Sequence, residues 1–406
     1  MNNSTTTTPP NGYKKTAIGV IPMDWSTKKL GDLGEIINGL TYSPNDIHND
    51  GILVLRSSNI NERQLVYTDN VFVKADKFNP VKKGDILICV RNGSKSLIGK
   101  NALITEEAEG YAFGAFMAVF RSDYNNYLYQ IFGTVLFQKE IHKNLGATIN
   151  SINGSDLKLF KLPIPPQPEQ KKIAELLSTW DEAIANCKAT INTIRARNKG
   201  LANQLLTGRK RLKGFTEKWV ELKADKIFRN NTDKTHNGEL EILSATQERG
   251  VIPRSMNNID IKYDVNSLGT YKKVEVGDYV ISLRSFQGGI EYSEYEGIVS
   301  PAYTILKEII PISKTFFKVY FKTETFISRL NTIIYGIRDG KQISFKDFAT
   351  LKLPCPSVEE QSAIAQVLET ADQELNSYQT KLEALQLQKK GLMQQLLTGK
   401  IRVNVK

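Results

Sequence analysis

A chain of 406 residues with 40% hydrophobic content has room for more than one buried core. Its 54 Lys+Arg against 43 Asp+Glu leave a formal net charge of +11, which favours an anionic partner such as nucleic acid. The three cysteines, Cys89, Cys187 and Cys355, form no CxxC pair, which argues against a disulfide framework or a zinc site and fits a reducing cytoplasm; no apolar run reaches the roughly 18–20 residues that span a membrane.

Residues 1–16, MNNSTTTTPPNGYKKT, have no apolar core, so they are not a secretory leader and are expected to be a disordered tail. A globular domain is expected over 17–160. Its segments Gly51–Leu55, Asp85–Val90 and Met117–Phe120 are short, apolar and rich in β-formers, and Tyr127–Leu145 has the pattern of an amphipathic closing helix. Residues 161–217 begin with LPIPPQP, where closely spaced prolines predict a non-helical hinge. Glu169-Gln170 then opens a long helix that ends at Gly208, with its carboxylate near the positive helix end. A second globular domain over 218–351 has the same make-up, with strands at Tyr279–Leu283 and Ala302–Leu306 and a closing helix over Lys314–Ile334. Residues 352–406 repeat the hinge as LPCPSVE and the long helix from Glu360-Gln361 to Gly399. The basic residues within 209–211 and 400–402 suit the negative helix ends.

The second half of this order is a copy of the first. Lys161–Gly208 returns as Lys352–Gly399 at a constant offset of 191, with 19 of 48 positions identical and no gap. Val81–Ser94 returns as Val274–Gln287, each a Gly-Asp turn followed by an apolar run and then Arg and polar residues. Asp24–Leu33 loosely matches Lys218–Ile227, headed by Trp25 and Trp219. A duplicated chain presents two copies of one working surface, which suggests a target with two parts.

In each long helix the apolar positions step by 4 and 3 in alternation. The first seam is Ile173, Leu177, Trp180, Ile184, Cys187, Ile191, Ile194, Asn198, Leu201 and Leu205. The second is Ile364, Leu368, Ala371, Leu375, Tyr378, Leu382, Leu385, Lys389, Leu392 and Leu396. This is heptad spacing, and helices of about 38 residues would each be roughly 57 Å long. One apolar stripe of that length cannot be covered by a small domain, so the two helices are expected to pair with each other, antiparallel. Asn198 and Lys389 hold the same position in both seams and either fix register and partner contact or mark an outer turn.

Taken together, GVIPMDWSTKKLGDL near the start, two LP-x-P…EQ-x-x-IA-x-x-L units and two QLLTG ends resemble the DNA sequence specificity subunits of Type I restriction-modification enzymes, over nearly the whole chain. The resemblance implies an α/β (mixed α+β) fold with an internal two-fold repeat: two globular target recognition domains separated by two long antiparallel coiled-coil helices. Each domain would read one half of a bipartite, asymmetric site in double-stranded DNA. The helices would set the gap and dock two methyltransferase (modification) subunits, and restriction-translocation subunits would join the complex. The chain itself would perform no chemistry and hold no cofactor; S-adenosylmethionine, ATP and Mg²⁺ would act on the partner subunits. The docking residues would be Ile173, Leu177, Trp180, Ile184, Asn198 and Leu205 with Ile364, Leu368, Leu375, Leu382, Lys389 and Leu396. A cytoplasmic protein is expected, with no membrane partner. A specificity protein of a related methylating-nuclease system outside Type I, a DNA-modifying enzyme and a protein-only coiled-coil scaffold remain alternatives.

Catalytic motifs do not surface. There is no NPPY or DPPY adenine-methylation motif and no GxxxxGK[ST] phosphate loop, and His48, His142 and His236 lack metal-ligand spacing. Candidate DNA contacts are polar and basic residues on loops beside strands. In the first domain these are Arg56, Ser57, Asn59, Arg91, Asn92, Ser94 and Lys95; in the second, Arg254, Arg284, Ser285, Gln287, Arg338, Lys341 and Gln342. Arg suits guanine, Asn and Gln suit adenine, and glycine in these loops permits close approach to a groove.

Overall fold

The structure is a computed structural model and describes residues 9–145, 150–256, 265–334 and 343–405. Two compact units emerge: Met1–Lys188 with Lys381–Lys406, and Ala189–Thr380. The duplication boundaries fall at the ends of the long helices, whereas the compact units take half of each long helix, because each half packs with a different domain.

In the first unit a four-stranded antiparallel sheet runs in the order Asn101–Leu103, Ile86–Cys89, Met117–Arg121, Glu35–Asn38. Ile86–Cys89 is buried along its whole length, as its unbroken apolar run requires. Beside it, Ile47–Leu55 sits between Ala112–Phe113 and Phe72–Val73 in a three-stranded sheet. Its side chains alternate: Leu53 and Leu55 enter the main core, while Val54 packs in a smaller cluster with Val73 and Ala112. Gly84, at φ 84°, makes the turn into the central strand. Asp85 fixes that turn by accepting from the Lys82 backbone N–H (2.8 Å) and from both arms of Arg121 (2.9 and 2.7 Å).

The second unit has the same centre. Its four-stranded sheet runs Phe228–Asn231, Thr304–Glu308, Tyr279–Ile281, Glu291–Tyr292. Gly277 (φ 99°) and Asp278 rebuild the turn, with the Asp278 carboxylate accepting from the Glu275 N–H at 2.9 Å. Burial pushes the Asp278 carboxyl up, a sign that its turn lacks the Arg clamp of Asp85. The core is aromatic: Phe228 meets Tyr279, Phe317, Phe321 and Phe348 at ring separations of 5.3–6.1 Å.

Four expectations from sequence need correction. The tail does not extend through residue 16: Tyr13–Thr16 pairs with Gly19–Pro22 in a hairpin, and the Tyr13 hydroxyl donates to the Gly399 carbonyl at 2.9 Å. The closing helices are each two helices, Asn125–Phe132 with Val135–Asn144 and Lys314–Tyr320 with Glu324–Ile334. The breaks fall at Thr134 and Thr323, whose hydroxyls accept from Phe137 and Phe326 N–H groups and cap the following helix. The hinge segments are extended, as their prolines require, but they belong to the domains as paired strands: Lys161–Ile164 pairs with Ser26–Lys29, and Lys352–Cys355 pairs with Val220–Lys223. Proline is tolerated there because these ladders have only two strands and so only edges. Finally, the central helix spans Gln167–Leu206, with Pro168 in its first turn, where the missing N–H has no helical partner to lose.

The C-terminal helix spans Val358–Leu396. Within each unit the two long helices run antiparallel. In the first, Leu177 shares a core with Leu396, while Asp181 pairs with Lys389. In the second, Leu205 shares a core with Ile364, while Asn198 reaches Ala371. The heptad positions are buried or half-buried throughout, whereas Leu387, which lies off the seam, is 71% exposed. Among the described residues no helix is long and apolar enough to cross a membrane.

Candidate nucleic-acid interface

Two loops separated in sequence meet on the first unit. Arg56–Asn59 follows the strand Ile47–Leu55, and the loop from Arg91 to Leu97 follows Ile86–Cys89. Asn92 Nδ2 donates to Ser57 Oγ at 3.0 Å, and Asn92 Oδ1 accepts from the Ser94 N–H at 3.0 Å. Lys100 Nζ donates to the Ser57 carbonyl at 3.0 Å. Arg91, Ser94 and Lys95 are exposed on this surface, and the Arg91 guanidinium lies 5.7 Å from the ring of exposed Phe116. Arg56 is turned aside by an ion pair with Asp69 at 2.7 Å.

Asn59 is not placed to touch a ligand. It is fully buried, accepts from the Arg56 N–H at 3.0 Å, and donates to the Val66 carbonyl (3.1 Å) and Asn70 Oδ1 (3.2 Å). Its amide shapes the loop that carries Arg56 and Ser57, since a buried amide must find its partners inside the protein.

In the second unit a cavity of about 710 Å³ opens between the hairpin of Leu243–Thr246 with Gly250–Pro253 and the loop after Tyr279–Ile281. Arg249, Arg254 and Arg284 line it together with Ser282, Ser300 and Tyr303, so residues 30 or more apart in sequence form one basic concavity. Burial pushes the Tyr303 phenol up, against the opposing pull of Arg254 and Arg284. Gln287 is exposed on the short helix Ser285–Gly288 at the rim. Ser285 is buried, and its Oγ accepts from the Ser282 N–H at 2.8 Å, so it builds the loop and presents nothing outward. Arg338, Lys341 and Gln342 lie outside the described residues.

Each unit carries a clasp, at the N-terminus of one long helix, that sequence reasoning missed. Glu169 accepts from Trp25 Nε1 (3.0 Å) and from Arg402 Nε and Nη2 (both 2.7 Å). Glu360 accepts from Trp219 Nε1 (2.9 Å) and from Arg211 Nε and Nη2 (2.6 and 2.7 Å). Both carboxylates are buried. The neighbouring amides Gln170 and Gln361 donate to the Pro165 and Pro356 carbonyls at 2.8 and 2.9 Å. Arg211 and Arg402 therefore do not serve their own helix C-termini; each neutralises the N-terminal carboxylate of the other long helix. The signal was in the repeat, because Trp, Glu and Arg all recur at offsets of 191–194.

Asn198 and Lys389 are not frayed. Asn198 Nδ2 donates to the Ala371 carbonyl at 2.8 Å, and the buried Lys389 ammonium pairs with Asp181. Asp181 and Asp372 are themselves repeat equivalents, and burial pushes the Asp372 carboxyl up while the Asn198 amide beside it pulls it down. The same acidic position is met by a cation in one unit and by an amide in the other. Among the described residues no group of three or more His, Cys, Asp or Glu could hold a metal ion.

The build is that of a duplicated protein whose two units carry chemically different polar loop surfaces, each on a domain packed against its own antiparallel stretch of the long helices. Residues 22–196 and 209–386 each match the Type I restriction modification DNA specificity domain, and the chain belongs to that family. It is 29% identical over 423 residues to a putative Type I restriction enzyme MjaX specificity subunit of Methanocaldococcus jannaschii, covering 96% of this chain and 97% of the relative. It is 25% identical over 388 residues to the Type I restriction enzyme EcoKI specificity subunit of Escherichia coli, covering 86% and 82%. Among solved structures, the S subunit of a Type I restriction-modification system from M. genitalium has the same fold, with a TM-score of 0.55 at 18% identity over 92% of this chain and 96% of that one. A chain from a structure of Type I complex assembly and conformational transition aligns at a TM-score of 0.54 and 13% identity, over 94% and 99%.

Proposed function

We propose that this chain is the non-catalytic specificity subunit of a Type I restriction-modification complex. The first unit reads one half of a bipartite double-stranded site and the second reads the other. The observation that carries this reading is one scaffold built twice with unlike reading surfaces. Arg91, Asn92, Ser94 and Lys95 crown the first, and Arg249, Arg254, Arg284 and Gln287 surround the concavity of the second. A palindromic target would need the same side chains at both; unlike sets suit an asymmetric one.

The paired helices set the unread gap between the halves and seat two methyltransferase subunits, and restriction-translocation subunits join that assembly. S-adenosylmethionine, ATP and Mg²⁺ act on those partners, and this chain supplies only the address. The +11 net charge supports a salt-sensitive contribution from phosphate contacts along the duplex. Methylome sequencing of cells carrying this chain with its methyltransferase subunit, against cells lacking this chain, tests the reading. A split motif methylated only in its presence is expected; an active methyltransferase with no such motif would overturn it.

A further inference from the structure

The rim of the second unit's concavity holds two exposed amides on different loops. Gln247 is at the tip of the hairpin, and Gln287 is on the helix Ser285–Gly288. Gln247 Nε2 faces Gln287 Oε1 at 3.5 Å. That hydrogen bond is long, but the juxtaposition is built in. A Cβ on Gly288 would stand 2.8 Å from Gln247 Cγ, so glycine at 288 leaves the room in which Gln247 lies. Lys322 then ties both loops down. Its ammonium donates to the Gln247 carbonyl (3.3 Å), the Gly288 carbonyl (3.0 Å) and the buried Glu291 carboxylate (2.6 Å).

With one amide N–H turned on the other's oxygen, the pair keeps two groups unused: Gln247 Oε1, an acceptor, and Gln287 Nε2, a donor. Among the described residues neither has another protein partner. In the major groove adenine offers the complementary pair, an N6–H donor beside the N7 acceptor. Guanine offers two acceptors, so its O6 would oppose Gln247 Oε1; cytosine offers a donor alone and thymine an acceptor alone. We propose that Gln247 and Gln287 together read one adenine in the half-site of the second unit, with Lys322 as the positioning residue that holds the pair in register. This rests on the reading that the second unit recognises half of a DNA site.

The test uses the full chain expressed with its methyltransferase subunits and compares methylated motifs. Gln287→Ala and Gln247→Ala should relax the same single A·T position, in one half only, by roughly 10- to 100-fold. Gln287→Arg, which supplies two donors, should move that position towards guanine. Lys322→Met should relax it too, and Lys322→Arg should restore it, whereas a merely structural lysine would weaken every position alike. Both amides are exposed, so their alanine variants leave the core intact. Unchanged motifs for both alanine variants, or different positions relaxed by each, would overturn the proposal. If the unsubstituted complex gives no split motif, the underlying reading fails and the amide pair falls with it; that control is scored separately.

Discussion

The Glu360 clasp makes a prediction whose size follows from its geometry. Arg211→Ala removes two charge-assisted hydrogen bonds of 2.6 and 2.7 Å and leaves the Glu360 carboxylate, 1% exposed, with one indole N–H and its helix N-terminus. Breaking a buried ion pair from one side costs about 3–5 kcal/mol. Arg211 keeps about a quarter of its side chain in water, so the lower end applies, about 3 kcal/mol. The guanidinium also lies 5.5 Å from the Trp219 ring, a contact included in that figure. Arg211→Lys should recover part of the loss but not the bidentate geometry. The assay is a double-mutant cycle of Arg211→Ala with Glu360→Gln, followed by urea unfolding and hydrogen exchange in the first turns of the C-terminal helix. The two changes should be strongly non-additive, coupled by at least about 1 kcal/mol. Additive effects, with no loss of protection after Val358, would show that the clasp contributes nothing to seating this helix.

Three further outcomes follow from the same kind of reasoning. Asn59→Ala removes a buried amide and leaves its three half-buried or exposed partners unmatched, so it should cost about 1–3 kcal/mol; in methylome data it should weaken every position of one half-site, where loss of a base-reading residue would relax one. Burial holds the Lys389 ammonium below the ordinary lysine value, with Asp181 opposing. Between that lowered value and about 10.5 the unfolded chain binds more protons than the folded one, so stability should rise with pH across this window, and Lys389→Met should flatten that limb in urea titrations. Gly133→Ala would put a methyl into the Arg63 guanidinium and should destabilise the first unit by about 1–3 kcal/mol in thermal unfolding, with a smaller effect when Arg63 is already alanine.

The long helices were legible because a 4-3 spacing sustained over ten positions has no other good explanation, and every one of those positions proves buried or half-buried. The sheet centres were legible for a similar reason: Ile86–Cys89 is buried on both faces and reads as an unbroken apolar run. The Lys161–Ile164 strand was hidden because four residues carry no measurable period and its proline argues for a break. The clasps were hidden because Glu169 and Arg402 are 233 residues apart, a pairing no local pattern encodes. At the candidate DNA-contact loops residue type was legible but direction was not. Asn59 and Ser285 belong to the same polar loop surfaces as Arg91 and Arg284, yet both turn inward to satisfy backbone groups.

That inward duty is also where the two units part company. Thr134 and Thr323 cap equivalent helices, so the residues before them, Gly133 and Lys322, are structural equivalents. In the first unit Arg63, from a hairpin tip with Glu62 and Arg63 both at positive φ, reaches inward to the Tyr129 carbonyl and to Asn101 Oδ1 at 3.2 Å. It occupies the space a side chain on residue 133 would need. In the second unit the connection is reversed: Lys322 reaches outward from the helix junction to the hairpin at Gln247. Both arrangements join hairpin to helices with one cation, but they leave different tips. The first commits its hairpin arginine to the interior and excludes it from any reading role. The second leaves Gln247 and Arg249 on the surface, because the lysine below them does the holding. A scaffold with two interchangeable ways of fixing one loop can change the loop's outward residues without loosening it, which is what two unlike half-sites on one duplicated fold require.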